Sequence, residues 1–142
     1  MPRATCHAPV QRYSIEGTAM RYDPSVAPDP QLWLALDEDE RIDLVLRHHR
    51  RTKVKLPSPR MHAALHVMVE NQLAEGYEEA VAALARLIAG GLPRHEAIHA
   101  IASVAIVQMH SLMHGGAHAF DKVAYDRELA AVTVDRWRKG TP

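Results

Sequence analysis

The chain has 142 residues, which is enough for one domain with a substantial hydrophobic core and too few for two. Lysine plus arginine and aspartate plus glutamate number 17 each, so the formal net charge of zero gives no overall attraction to nucleic acid or to an anionic membrane. The 10 histidines stand out, because histidine is the commonest metal ligand and the side chain that titrates nearest to neutral pH.

The first 28 residues form an irregular N-terminal arm in our prediction, because they show no sustained periodicity and contain Pro2, Pro9, Pro24 and Pro28. This arm lacks the apolar run of a secretory signal, and no later stretch reaches the ~18 uninterrupted apolar residues of a membrane span. The single cysteine, Cys6, excludes an intramolecular disulfide and fits a reducing compartment. We therefore expect a cytoplasmic protein that has no membrane partner.

Two helix starts follow the arm. Asp29 and Pro30 place a capping acid before a first-turn proline, which predicts a short helix. Asp37 and Glu40 form an acidic version of the capping box, which predicts a second helix that ends near Arg50. The apolar face of this second helix consists of Ile42, Val45 and Leu46.

Two further helices have clear ends. Ser58 and Pro59 repeat the cap-then-proline signal, and the helix that they open should end just before Gly76, which can adopt a left-handed conformation. The next helix should stop at Gly90 and Gly91. Its apolar residues have the spacing i, i+3, i+4 and i+7 of an amphipathic helix and are Val81, Leu84, Ala85 and Ile88.

The fifth predicted helix runs from near Pro93 to about Met113 and is closed by Gly115 and Gly116. It is apolar over most of its circumference, so we expect it to be the central helix of a bundle. A last helix is predicted over residues 119–138. Its core candidates are Phe120, Val123, Leu129, Val132 and Trp137.

The order of these elements predicts the fold class. No segment shows the period-2 alternation of a β-strand. Because the connections are short, successive helices should pack nearly antiparallel. The sequence therefore predicts an all-α fold, a compact bundle of five to six helices that forms a single domain over residues 29–142, preceded by the irregular arm over residues 1–28.

The most specific motif lies at residues 95–99, which read HEAIH and fit the pattern H-E-x-x-H. On a helix, this pattern binds zinc through its two histidines and places its glutamate beside a metal-bound water. Glu96 is therefore a candidate catalytic general base of a metal-dependent hydrolase, although a glutamate so near a helix start also favours the positive end of the helix dipole. A zinc protease is not expected, because its longer pattern needs a glycine and a histidine where Ala102 and Ala105 stand.

A second stripe lies on the helix that Ser58 opens, with His62, His66 and Glu70 spaced four residues apart. If this helix and the central helix are neighbours, a metal site can form from candidate ligands on both: His66, Glu70, His95 and His99. These side chains offer nitrogen and oxygen ligands to one zinc, iron or manganese ion. His62 lies in the first turn and is expected to face solvent. The alternative is a seam of hydrogen-bonded histidines and glutamates that holds no metal.

Two other polar groups carry weaker signals. The segment RHHRRTKVK at residues 47–55 is basic, but it complements the C-terminal end of a helix dipole, and we do not expect it to bind nucleic acid. Three distal histidines lie too far along the central helix to share an ion with His99, and we expect them to mark a solvent-facing edge or an oligomer contact. They are His110, His114 and His118.

Three sequence strings resemble a known group of proteins. The pattern HxxxEN at residues 66–71 and the string RHEAIHAI at residues 94–101 resemble a family of short bacterial proteins of unknown function, as does WLALDEDERIDLVL at residues 33–46. The resemblance covers about residues 22–113. An acidic residue is common in that family where Pro93 stands here, which affects the local helix cap. The resemblance implies a compact helical fold and no particular chemistry.

Two functions from different classes are compatible with the sequence. One is a small helical protein with a single divalent-metal site, conceivably a hydrolase of undetermined substrate. The other is a non-enzymatic module for partner binding or homo-oligomerisation, in which the histidine and glutamate pairs are structural.

Overall fold

The computed structural model describes residues 20–115 and 119–140, and in these ranges the chain forms seven helices and no β-strand. The predicted all-α fold is confirmed. The helices α1 to α7 span Pro30–Ala35, Glu38–Arg51, Pro59–Ala74, Glu78–Ala89, Arg94–Met113, Lys122–Ala131 and Val134–Arg138. Residues 20–29 precede α1 without regular helix or strand, whereas Cys6 and the rest of the predicted arm lie outside the described residues.

The helix starts follow the predicted capping chemistry with one exception. The Asp29 carboxylate accepts a hydrogen bond from the Leu32 backbone N–H at 3.0 Å. Asp37 and Glu40 form both hydrogen bonds of the capping box, each at 2.8 Å. The predicted side-chain cap at Ser58 is wrong, since that hydroxyl makes no capping hydrogen bond. Helix α3 nevertheless begins as predicted, because proline at the first helical position has a backbone already set for a helix.

Two glycines shape the helix ends. Gly76 has φ of +74°, the left-handed conformation that the sequence predicts after α3. Gly90 permits a close approach instead, because a Cβ atom at this position would lie 2.7 Å from Val134 Cγ2. The absence of a side chain therefore lets α7 pack against the end of α4.

The last predicted helix differs from the observed structure. The chain forms α6 and α7 in place of one continuous helix over residues 119–138. Val132 and Thr133 adopt extended backbone conformations between them. The Thr133 hydroxyl accepts a hydrogen bond from the Arg136 backbone N–H at 3.1 Å and so caps the new helix. This capping signal at a threonine is what the sequence prediction missed.

The core candidates of this region divide into two groups. Leu129 and Val132 are buried as predicted, and Trp137 packs against the core with part of its side chain exposed. Phe120 and Val123 are predicted core residues that prove to be exposed, at 53% and 75%. Phe120 lies just before α6 and Val123 lies in its first turn, where the neighbouring helices leave much of both side chains uncovered.

The helices pack around two hydrophobic clusters. The larger one is built on α5, which contacts α3, α4 and α6. The smaller one forms where α1 and α2 contact α3, and it includes Trp33, Val45 and the arm residue Tyr22. Val67 and Val69 of α3 belong to different clusters, so α3 lies between α2 and α5. The adjacency of α3 and α5, on which the predicted metal site depends, is therefore present.

Helix α5 is the longest of the described helices. It has 20 residues and a mean hydropathy of 1.2, and it is the one helix among the described residues that is long and apolar enough to cross a membrane by length and composition alone. The core helix of a bundle has the same composition. The half of α5 nearer its N-terminus is buried among α3, α4 and α6, as the central position predicts.

Candidate metal centre

Histidines from three helices converge where α2, α3 and α5 meet. Four of them, His49, His62, His66 and His95, each place one ligand nitrogen within 4.8 Å of those of the other three. The Nε2 atom of a fifth, His99, lies 2.9 Å from His66 Nε2. We call these five residues the histidine cluster. A set of imidazole nitrogens at this spacing could hold a metal ion.

Helical periodicity explains most of the cluster. His62 and His66 are one turn apart on α3, and His95 and His99 are one turn apart on α5, so each pair shares one side of its helix. The rings of His66 and His99 have their centroids 4.9 Å apart across the contact between the two helices. The structure thus brings together the predicted ligands His66, His95 and His99.

His62 and His49 are the members that sequence reasoning placed elsewhere. His62 is partly buried and its Nε2 atom lies 3.1 Å from His66 Nε2, so the expectation that it faces solvent is wrong. His49 belongs to the basic segment at residues 47–55, yet it is buried while the arginines around it are exposed. A usable signal exists, because His49 continues the apolar stripe that starts at Ile42 and includes Val45, at the helical spacing i, i+3 and i+7.

Two imidazole nitrogens of the cluster lack hydrogen-bond partners. His49 Nδ1 lies 2.8 Å from the Val45 carbonyl oxygen. A carbonyl only accepts, so in the neutral ring Nδ1 carries the proton and Nε2 carries a lone pair. His49 Nε2 is buried without a partner, and so is His95 Nε2. These are the two such side-chain atoms within the described ranges, and buried polar atoms without a partner are rare enough to require an explanation.

Glu70, a predicted ligand, lies behind the cluster. Arg94 donates to both of its carboxylate oxygens, from Nη1 to Oε1 and from Nη2 to Oε2, each at 2.8 Å. The Tyr22 hydroxyl donates to Oε1 at 2.7 Å. Tyr22 in turn contacts His66 Nδ1 at 3.1 Å. The structure therefore places Glu70 as a partner of Tyr22 and Arg94, with the Tyr22 hydroxyl between it and His66.

Glu96, the predicted catalytic base, is exposed at the start of α5. It is not one of the four residues that could hold a metal ion together. Its side chain makes no hydrogen bond with any other described residue. The H-E-x-x-H pattern thus contributes both of its histidines to the cluster, whereas its glutamate faces solvent.

Burial favours the neutral form of three cluster histidines, His66, His95 and His99. It lowers the pKa of His66 far below the ordinary 6.5, and the nearby imidazoles, His99 first, lower it further. Burial, followed by repulsion from His49, lowers the pKa of His95 to about 4. The pKa of His99 is also lowered to about 4, by burial and then by His95. At neutral pH these rings are therefore uncharged, which is the form that binds metals.

The distal histidines of α5 and the charged side chains of the basic segment are not members of the cluster. His110 and His114 stack with ring centroids 4.0 Å apart near the end of α5, and both are exposed, as expected. His118 lies outside the described residues. In the basic segment, all five lysine and arginine side chains are exposed: Arg47, Arg50, Arg51, Lys53 and Lys55.

Comparison with known proteins adds no relative. No protein-family model matches the chain, and no curated protein and no solved structure matches it either. The resemblance to a family of short bacterial proteins therefore stays a prediction. Function has to be inferred from the geometry of the histidine cluster itself.

Proposed function

We propose that this protein binds one divalent transition-metal ion in the histidine cluster. The observation that carries the proposal is the coincidence of two features at one place. Four ligand nitrogens from three helices converge, and two buried imidazole nitrogens there, His49 Nε2 and His95 Nε2, have no hydrogen-bond partner. A bound cation accepts electron density from such nitrogens and removes the cost of burying them unpaired.

The spacing of the nitrogens is compatible with coordination. Metal–nitrogen bonds of about 2.0–2.1 Å hold neighbouring ligand atoms roughly 2.9–3.4 Å apart, with octahedral geometry at the short end and tetrahedral geometry at the long end. His66 Nε2 lies 3.1 Å from His62 Nε2 and 2.9 Å from His99 Nε2. The remaining nitrogens lie within 4.8 Å, so rotation of side chains is expected to complete the site.

The ligand chemistry favours metals that prefer imidazole. All five members of the cluster offer imidazole nitrogen, and Glu70, one turn after His66 on α3, has both carboxylate oxygens engaged by Arg94. Imidazole suits zinc, iron, copper and nickel, whereas manganese prefers oxygen ligands. We therefore expect zinc or iron before manganese.

Metal binding, and not hydrolysis, is the function that the geometry supports. A metal held by neutral ligands can lower the pKa of a bound water, but hydrolysis also needs a general base within hydrogen-bond reach of that water. Glu96 is exposed and makes no hydrogen bond to the cluster. Glu70 is not free to act as the base either, since it is held by Arg94 and Tyr22.

The test measures stoichiometry. The protein is purified without a histidine tag, its metal content is determined by elemental mass spectrometry, and the chelator-treated protein is titrated with zinc by calorimetry at pH 7.5. We expect about one equivalent per chain in the wild type and loss of that equivalent in His49→Ala. The exposed His110→Ala variant is the control and should retain it. Absence of stoichiometric binding in both measurements on the wild type would overturn the proposal.

A second candidate function, self-association, has one observation in its favour. Ile106, Met109 and Met113 follow the spacing i, i+3 and i+7 along the end of α5, and all three are exposed. Exposed apolar groups at helical spacing often mark interfaces. Because the net charge is zero, a second copy of this chain can approach without overall charge repulsion. Light scattering should show a dimer that Met113→Glu dissociates, whereas Val81→Glu on α4 leaves it intact. A monomeric wild type at micromolar concentration would exclude this candidate.

A further inference from the structure

A buried chain of hydrogen bonds leads from a guanidinium to the centre of the histidine cluster. It runs from Arg94 through Glu70 and Tyr22 to His66, with distances of 2.8, 2.7 and 3.1 Å. Glu70, Tyr22 and His66 are each 1% exposed. We call these four residues the hydrogen-bond chain. Arg94, Glu70 and Tyr22 are not ligands in the proposed metal site. Their position beside the histidine cluster therefore needs a separate reason.

The direction of each hydrogen bond follows from the chemistry of the groups. Arg94 can only donate, so the two Glu70 oxygens accept from it. Tyr22 has one proton, and its 2.7 Å contact with the Glu70 carboxylate is the shorter one, as a charge-assisted hydrogen bond should be. The Tyr22 oxygen is then left as an acceptor for His66 Nδ1. His66 Nδ1 must therefore carry the proton of the neutral ring.

This assignment fixes the state of the other ring nitrogen. With the proton on Nδ1, His66 Nε2 presents a lone pair toward His62 Nε2 and His99 Nε2. One lone pair cannot accept full hydrogen bonds from two neighbours, whereas a cation can accept a lone pair from each of the three rings. The hydrogen-bond chain thus prepares the most central nitrogen of the cluster for a metal.

We infer that Tyr22 is a positioning residue for metal binding, which holds His66 in the Nδ1–H form and passes part of the Glu70 negative charge to it. This inference rests on the proposed metal binding. Hydrogen-bond partners of metal-ligating histidines fix the tautomer and raise the basicity of the ligand. Without the Tyr22 oxygen as acceptor, the proton can move to Nε2, where it blocks the lone pair.

The same contacts give the arm a role. Tyr22 and Pro24 lie in the irregular segment before α1, and Arg94 Nη1 donates to the Pro24 carbonyl oxygen at 2.9 Å as well as to Glu70. Arg94 therefore holds the segment around Pro24 against α3 and α5 while it orients Glu70. Glu70 lies in the motif HxxxEN and Arg94 in the string RHEAIH. Both motifs thus contribute to the hydrogen-bond chain as well as to the histidine cluster.

The first test compares two buried tyrosines. Tyr22→Phe removes the acceptor of His66 Nδ1. Tyr125→Phe is the matched control, because Tyr125 is also 1% exposed and donates one hydrogen bond, to Gln72 at 2.9 Å. Zinc affinity is measured at pH 7.5 by competition with a chromophoric chelator. We expect Tyr22→Phe to bind zinc roughly 10–100-fold more weakly than the wild type, the usual effect of losing such a partner, and Tyr125→Phe to bind it within about 3-fold.

The second test reads the tautomer directly and needs no metal. Long-range ¹⁵N–¹H NMR of the histidine side chains in chelator-treated wild type should show His66 protonated at Nδ1, and in Tyr22→Phe the Nε2–H form should appear. A wild-type His66 protonated at Nε2 would overturn the inference, as would an unchanged zinc affinity in Tyr22→Phe. Should the wild type bind no zinc, the proposed function fails, and the NMR spectrum still decides whether Tyr22 sets the tautomer of His66.

Discussion

The Nε2 atoms of His66 and His99 lie 2.9 Å apart, although 33 positions separate the two residues in the chain. His62 Nε2 approaches the same His66 atom from the preceding turn of α3, at 3.1 Å. The Nε2 atoms of His62, His66 and His99 therefore lie close together, and burial lowers the pKa of all three rings. Two of them can share a proton, but the third is then left without an ideal partner. A metal ion satisfies all three at once.

This contact yields a prediction about the ranking of ligands. His66→Ala should reduce zinc affinity the most, by roughly 100-fold or more. The loss of a metal ligand should weaken binding more than the loss of a hydrogen-bond partner of that ligand, as in Tyr22→Phe. His99→Ala should also weaken binding, since its Nε2 atom directly adjoins that of His66. Chelator competition gives the affinities. His114→Ala, on the exposed end of α5, should match the wild type, and equal affinities for all three variants would contradict a site in this cluster.

The part of the site that could be predicted from the sequence is the part fixed by helical spacing and short connections. Four-residue spacing places His95 and His99 on one side of α5, and the short links between α3, α4 and α5 make α3 and α5 neighbours. The sequence does not predict His49 as a ligand, for a different reason. Its flanking arginines indicate a solvated basic segment, whereas its position on the apolar stripe of α2 determines that it faces inward.

The role of Glu70 could not be predicted, because spacing shows the side of a helix that a residue occupies and not its partner. Glu70 follows His66 by one turn, so its spacing predicts a metal ligand or a hydrogen-bond partner of one. Arg94 decides between these roles, since its planar guanidinium engages both carboxylate oxygens. Tyr22 was also beyond prediction, because it lies in a segment without periodicity whose position depends on tertiary contacts alone.

The metal-free protein should lose stability in mild acid. The pKa values of His95 and His99 are lowered to about 4 in the folded protein, while the unfolded chain titrates near 6.5. Between these values the unfolded state binds more protons, so the free energy of unfolding is highest above about pH 7 and falls as the pH drops toward 4. We expect a loss of roughly 2 kcal/mol between pH 7.5 and 5, which allows for solvent screening and for repulsion among the rings.

Urea denaturation in the presence of a chelator measures this dependence. His95→Ala removes one of the shifted groups and should make the decrease of stability with falling pH shallower. His110→Ala, which removes an exposed histidine, should leave it unchanged. Stability that stays constant or rises from pH 7.5 to 5 would contradict the assignment of neutral, buried histidines.

The ion pair between Arg94 and Glu70 should matter for folding independently of any metal. Arg94→Met leaves the Glu70 carboxylate buried without its counter-charge, and breaking such a pair costs about 3–5 kcal/mol. Combining this change with Glu70→Gln should restore part of the lost stability, because the buried charge is then gone. The comparison is Arg60→Ala, whose pair with Asp39 is exposed and should contribute under about 1 kcal/mol. Similar free energies of unfolding for both single variants would refute a special role of the buried pair.

Asn71 should stabilise the packing of α1 against α3. Its side-chain oxygen accepts hydrogen bonds from Trp33 Nε1 at 2.9 Å and from Arg41 Nη1 at 3.0 Å. Trp33 is fully buried, so Asn71→Ala leaves its indole N–H without a partner and should cost roughly 2–3 kcal/mol. Asn71→Asp keeps an acceptor oxygen beside Arg41 and should retain most of the stability.

Both effects can be measured by urea denaturation in a Trp137→Phe background, where tryptophan fluorescence reports Trp33 alone. In that background, Asn71→Ala should also shift the emission of the folded protein to longer wavelength, because water gains access to the indole. Emission and stability equal to the parent protein would show that Asn71 does not anchor Trp33. The result bears on the site as well, since Asn71 directly follows Glu70 on α3, and the contact of α1 with α3 supports the helix that presents His62 and His66.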